Sequence, residues 1–372
     1  MISACVKYLT CVAVCAAGTS LFATDWTADS SPVVGTGASA SFSTPQPAVS
    51  DFTDNGTITV AAGGSIETKG TSNTVVGSGE GNTGTLIIES GGSVTNVGYY
   101  DYVNNKPTGN FVVGYLGGTG HVSIASGGVF WQSNDSAHFY IAKNEDGDTP
   151  RSKPTRGEVD VSGLLHANNI EMLAYFRIAG LTPPYVESAR LTINDGGVVE
   201  TGQFQKNDLA ASKIVFNGGK LRLLQNNSNL FIGGGVLEMV IADNKQAIFD
   251  TAGHDVQIWP WGAPFDTVLS IHGDTDTLSG AVGNGGLRKL GAGKLSFRLA
   301  AAQNTFTGNI EVVAGTLDLG RPLADNQRVT VYTNANFLVC STNDLAKITY
   351  LNGGTTNRML FSVGGDLGAV DL

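Results

Sequence analysis

Short apolar alternations closed by paired glycines recur along the first two hundred residues of the chain. TITVAAGGSIET (57–68), TLIIESGGSVTN (85–96), HVSIASGGVFWQ (121–132) and RLTINDGGVVET (190–201) share one pattern: an alternating strand, two small or polar residues, Gly-Gly, and another apolar position. A period of two sends alternate side chains to opposite faces. Ile58 and Val60, Leu86 and Ile88, Val122 and Ile124, and Leu191 and Ile193 are therefore predicted to face inward together. The Gly-Gly pairs begin at 63, 91, 127 and 196, in steps of 28, 36 and 69 residues. The last step is close to two units, and EVDVSGLLHANN (158–169) supplies a degenerate copy with the single glycine Gly163. Between copies lies a second strand-like element: TVVGSGEGNTG (74–84), FVVGYLGGTG (111–120) and FYIAKNEDG (139–147).

Units of roughly 20 to 50 residues with several short strands are the signature of a solenoid or array. No unit has enough core alone, and stacked units share one. In a parallel β-helix the inward residues would form apolar ladders, and Gly-Gly would take the corners, where positive φ is free of steric cost and coils approach closely. A β-propeller uses similar periods, but uneven spacing and the lack of a fixed blade signature make it the lesser alternative. Helix is expected to be scarce, since AASKIVF and NIEMLAYF start a turn or two without a sustained period, cap and stop. NDLAASKIVFNGGKL (207–221) and NDLAKITYLNGGTT (343–356) read as a second pair of copies, with an Asn suited to a tight corner before the glycines.

Composition agrees with this pattern. The 372 residues include 50 Gly and 11 Pro, about twice the usual glycine share without collagen-like repetition. Hydrophobic residues make up 41%, enough for a core and unlike a disordered chain. The first 23 residues differ: Lys7, the apolar run YLTCVAVCAAG and the ending SLFA make a secretory signal, with cleavage expected after Ala23. The run is short of the about 20 apolar residues that span a bilayer. Val14 and Tyr8 fit a lipoprotein processing box poorly, which argues against lipid attachment at Cys15 or Cys11. Loss of Lys7 would move the formal net charge from −10 to about −11. With no cluster of Lys and Arg interleaved with aromatics, nucleic-acid binding is not expected. Three of the four cysteines lie in the signal, so the mature chain would keep Cys340 alone and no internal disulfide.

Residues 285–320, GGLRKLGAGKLSFRLAAAQNTFTGNIEVVAGTLDLG, resemble the β-strand repeat associated with autotransporter passenger domains. The matching positions are Gly285, Gly286, Leu287, Lys289, Gly291, Gly293, Leu295, Asn304, Thr305, Phe306, Thr307, Gly308, Gly315, Thr316, Leu317, Leu319 and Gly320. They cover 36 residues, about a tenth of the chain. The resemblance implies a right-handed parallel β-helix at or outside a bacterial cell surface. An autotransporter ends in an outer-membrane barrel of alternating segments closing in an aromatic, and related secreted proteins end in a sorting tail. This chain stops at FSVGGDLGAVDL with neither, so either a fragment or a passenger released without an anchor is expected.

Right-handed β-helices also host polysaccharide lyases and hydrolases, which makes the acids worth a search. Glycoside hydrolysis needs two carboxylates facing one bond. NEDGD (144–148) lacks calcium-loop spacing and reads as a solvated turn. His272, Asp274 and Asp276 in SIHGDTD could share a strand face, although histidine among acids usually marks a solvated edge. GEGNTG and GGTG precede strands rather than helices and lack Lys-Ser/Thr, so they are no phosphate loops. Cys340, after FLV, reads as a small core residue. Trp259 and Trp261, in IWPWGAPF, either stack on a sugar or protein or pack as a cap over the solenoid.

The expected organisation is a signal at 1–23, a Ser/Thr/Pro/Gly-rich N-terminal segment or cap at 24–56, Gly-Gly-punctuated solenoid repeats at 57–280, and the autotransporter-type repeat with the last coils at 281–372. The expected function is that of a non-enzymatic secreted or surface solenoid, adhesin-like or structural, meeting host or matrix glycans or surface proteins. No catalytic residue, cofactor, metal or membrane span is expected in the mature chain. A polysaccharide lyase or hydrolase is the alternative.

Overall fold

The computed structural model describes residues 26–70, 72–101, 106–144, 154–174, 188–207, 212–227, 229–234, 236–259, 268–273, 284–299, 304–351, 358–361 and 370–371. The alternating stretches form strands that pair in parallel with their counterparts one coil away. Thr57–Val60, Thr83–Ile88, Thr119–Ile124, Arg156–Val161 and Ser188–Asn194 lie side by side. After a corner, Ser65–Thr68, Ser93–Asn96, Val129–Gln132, Leu164–His166 and Val198–Thr201 do the same on a second side. Thr74–Ser78, Phe111–Tyr115, His138–Lys143, Asn169–Ala174 and Gln203–Asn207 make a third. The chain is a parallel β-helix. We call these sides sheets I, II and III; among the described residues they have nine, eleven and eight strands. Residues 158–169 run through the sheet I and sheet II strands of a coil of their own, so the long step in the repeat is two coils.

Each corner uses its two glycines differently. The first, at Gly63, Gly91, Gly127 and Gly196, has φ between +77° and +81°, the left-handed region that a Cβ disfavours. The second has no room for a side chain. A Cβ on Gly64, Gly92, Gly128 or Gly197 would overlap the carbonyl oxygen of Phe42, Val60, Ile88 or Val161, one coil away. Gly163 in the degenerate copy is of this second kind, against the Ala125 and Gly128 oxygens. Close stacking at the corner therefore needs the second glycine even where the first is replaced.

The interior consists of columns running along the axis. Ile58, Leu86, Val122, Val159, Leu191, Ile214, Met239 and Ile271 line up in sheet I, all fully buried, with Ile58, Leu86, Val122 and Leu191 inward as the alternation predicted. Phe111 stacks on Phe139 at 5.3 Å, with the Phe130 edge against both. Among the residues of described burial, two columns admit an ionisable side chain. Sheet III runs Val34, Asp54, Val76, Val113, Ile141, Met172. Sheet II runs Leu221, Phe249, Lys289, Val312, Val331.

Coil length changes along the stack. Successive sheet II strands start 28, 36, 35 and 34 residues apart from Ser65 to Val198, and 19 apart from Ile310 through Val329 to Ile348. A fourth sheet, IV, contains Val256–Ile258, Lys294–Phe297, Gly315–Asp318, Ala335–Val339 and Arg358–Phe361; its first strand shares a coil with Val268–Gly273 of sheet I, whereas the coils from Ile310 on carry, among the described residues, one sheet II strand and one sheet IV strand. Sheet IV starts beside residues 227–230, just before the last described strand of sheet III, Phe231–Gly234. The two Asn-Asp-Leu-Ala copies do not occupy equivalent places. Ser212–Asn217 belongs to sheet I and Ile348–Tyr350 to sheet II. Each copy contributes a strand to a different side of the solenoid, and the Asn-Gly-Gly of the second lies outside the described residues. AASKIVF and NIEMLAYF contribute strands, and a 3₁₀ turn is found at Thr342–Lys347. No helix among the described residues is long and apolar enough to cross a membrane.

Candidate functional site

The described residues within 285–320 build two stacked coils of the chain itself. Gly291, Gly315 and Gly320 have positive φ, and a Cβ on Gly285, Gly286, Gly293 or Gly308 would overlap Ile241, Asn309, His254 or Asn284. Leu287, Leu295, Phe306, Leu317 and Leu319 are fully buried. Asn304 bridges to Ile271 and donates from Nδ2 to the Leu319 carbonyl (3.0 Å). Arg321 closes the unit, donating to the Phe306 carbonyl (2.8 Å) with its guanidinium over the Phe306 ring. Thr305 and Thr307 lie between these anchors, and Thr316 pairs with Lys294. Lys289 Nζ donates to the carbonyls of Leu290, Gly291 and Ala314 at 2.8, 2.7 and 3.1 Å, and to Thr251 Oγ1 at 3.0 Å. Burial pushes its pKa down to about 8 against the pull of Asp250 and Asp255.

The other sequence candidates do not converge. Trp259 follows strand Val256–Ile258 and is exposed; Trp261 lies outside the described residues. His272 is on Val268–Gly273 with Nδ1 donating to the Gly273 carbonyl, while Asp274 and Asp276 fall outside the described residues. Asn144 of NEDGD is buried and accepts from Thr155; the acids after it fall outside. Cys340 is half-buried past the end of Ala335–Val339, not a core residue, because the inward position is taken by Val339. Burial, Asp318 and Asp344 push its thiol pKa up.

The outer faces carry the polar chemistry, arranged in rows. On sheet I, His121 meets Glu158 through Nδ1 (3.8 Å) and Asp160 through Nε2 (3.7 Å), and Lys213 pairs with Glu238. The two carboxylates approach opposite edges of the ring and so do not share one point. On sheet III, His138 Nδ1 bonds to the nearly buried Glu171 at 3.0 Å. On sheet II the register sets Glu67, Thr95, Trp131, His166, Glu200, Arg222 and Asp250 in one outward row. Trp131 is 38% exposed, and its ring lies flat on His166 at 3.6 Å with 2° between the planes. His166 Nδ1 donates to Glu200 (2.9 Å), and Arg222 ties Glu200 (3.1 Å) to Asp250 (3.9 Å). Among the described residues no group of three His, Cys, Asp or Glu is placed to hold a metal ion.

Compared with known proteins, the chain matches no family model and no curated protein sequence. The Trp131 row escaped sequence reasoning although its signal was present. Aligning the Gly-Gly copies puts Glu67, Thr95, Trp131, His166 and Glu200 in one column, three residues past each corner's second glycine.

Proposed function

We propose that the chain is an exported, non-enzymatic β-solenoid, an adhesin-like or structural passenger that holds its target on a long side surface. One observation carries this reading: six of the outer carboxylates act as ties between coils. Glu158 and Asp160 meet His121, Glu171 meets His138, Glu200 meets His166 and Arg222, Glu238 meets Lys213, and Glu311 meets Arg288, each across a coil boundary. A hydrolytic carboxylate has to be free to move a proton or attack a sugar. Repeated weak contacts along a stack of coils bind by avidity instead. The resemblance of 285–320 to the autotransporter-associated repeat supports export to the cell surface or beyond.

A polysaccharide-active enzyme is the second reading, favoured by Glu158 and Asp160 facing outward from one strand beside His121. The test is to incubate the purified chain, with and without calcium, against acidic and neutral polysaccharides while following reducing ends and unsaturated products. The expected result is retention without product. Product release that disappears in Glu158→Gln or Asp160→Asn would replace the first reading by the second.

A further inference from the structure

We propose that the notch beside Trp131 on the outer face of sheet II binds an amine-bearing pyranose ring of a glycan. The inference rests on the reading that the solenoid binds its target without turnover. Trp131 and His166 stack along the solenoid axis, so one indole face is covered by the imidazole and the other is turned toward the preceding coil. There the same position is held by Thr95, whose side chain ends far short of the outer edge of an indole. One coil further, the position is Glu67, which is exposed. Glu67 and Trp131 thus stand two strand spacings apart, about 9 to 10 Å, with only a short side chain between. That gap takes one ring with van der Waals contact on both sides.

The chemistry of the walls selects the ring. The C–H face of a pyranose packs on an indole, and a cation is attracted to the same face. Glu67 supplies a carboxylate on the opposite wall, while Lys69 beyond it is already joined to Asp29. The chain as a whole is acidic, with a formal charge of −10, which opposes a uronic acid and favours an amine. His166 is held behind the indole by Glu200, and Glu200 by Arg222, so the platform is fixed before a ligand arrives.

The experiment titrates the full chain with glucosamine oligomers, neutral glucose oligomers of the same length and oligogalacturonate. Calorimetry and tryptophan fluorescence report binding, and reducing ends are followed in parallel. Glucosamine oligomers are expected to bind best. Trp131→Ala should weaken them about tenfold, and Glu67→Gln should erase the preference for the amine over the neutral oligomer. Thr95→Trp fills the notch with an indole and should block binding while the melting temperature stays near that of the wild type. Because a polyamine is drawn to any acidic surface, binding that survives both Trp131→Ala and Thr95→Trp overturns the site. So does equal affinity for all three oligomers. Release of reducing ends would instead overturn the non-enzymatic reading, which keeps the two failures distinct.

Discussion

Lys289 brings a charge into an apolar column, in register between Phe249 and Val312. Its pKa is lowered from 10.5 to about 8 by burial, so between these values the folded chain binds fewer protons than the unfolded one. Stability should therefore rise with pH from about 8 to about 10.5 and be reduced below that window. At about 1.4 kcal/mol per pH unit of displacement, the rise is on the order of 3 kcal/mol. Denaturant unfolding across this range should show the rise in wild type and not in Lys289→Met; equal slopes would mean that the ammonium is better solvated than its four contacts imply. Asp54 sits in the sheet III column between Val34 and Val76. Burial raises its pKa from 3.8 to about 7 although Gly56 N–H donates to it at 2.9 Å. Here the folded chain binds the extra proton, so stability should fall as pH rises from about 4 to about 7. Asp54→Asn should remove that fall, measured by melting temperature against pH relative to wild type. Neither intrusion was legible in the sequence. Lys289 could be read as a motif position, but its inward placement depends on the pairing of Phe249 with Lys289, and Asp54 lies in a two-residue strand without a pattern of its own.

Corners were the most legible elements, because two physical demands fall on adjacent residues and glycine alone meets both. The demands differ in cost. Gly91 has φ +79° and its added Cβ would first meet atoms at 3.6 Å, so Gly91→Ala carries backbone strain alone, about 1 to 2 kcal/mol. A Cβ on Gly92 would overlap the Val60 oxygen, a backbone atom fixed in the neighbouring strand, so the coils must separate. Gly92→Ala should cost more than Gly91→Ala in denaturant midpoint, at unchanged m-value. If Gly91→Ala proved the worse, close coil approach would not be what the second glycine secures. The strands flanking these corners were legible for the same reason: alternation and corner agree on which face is inward. Which sheet a strand joins was not. Asn-Asp-Leu-Ala followed by an apolar run and Asn-Gly-Gly looks like one repeating unit, yet its copies stand in sheets I and II, since pairing partners are chosen by coil length rather than by the strand's own residues.

Stacking along one axis makes the molecule quasi-one-dimensional, and damage should stay local. Apart from the antiparallel pairs Tyr99–Asp101 with Lys106–Thr108 and Arg358–Phe361 with Val370–Asp371, the described strands hydrogen-bond within their sheets to strands one coil before or after, and the coils shorten from about 35 to 19 residues without a break in sheet II. Such a chain is stabilised by the intrinsic terms of its coils and the interfaces between neighbours, and an opening spreads only as far as those interfaces couple. Ile124 lies in the sheet I column between Ile88 and Val161 and is buried. Ile124→Asp replaces packing by an unpaired buried charge, which costs several kcal/mol. Because this cost falls on one coil and its two interfaces, amides of Thr83–Ile88, Thr119–Ile124 and Arg156–Val161 should lose protection against hydrogen exchange. Those of Gly286–Leu290 and Ile310–Val312 should keep theirs, since they are separated from Ile124 by intact coils and held by the Asn304 and Arg321 bonds. Peptide-resolved exchange on wild type and mutant decides the matter. Uniform loss of protection from end to end would show a single cooperative unit, and the nearest-neighbour account of this solenoid would then fail.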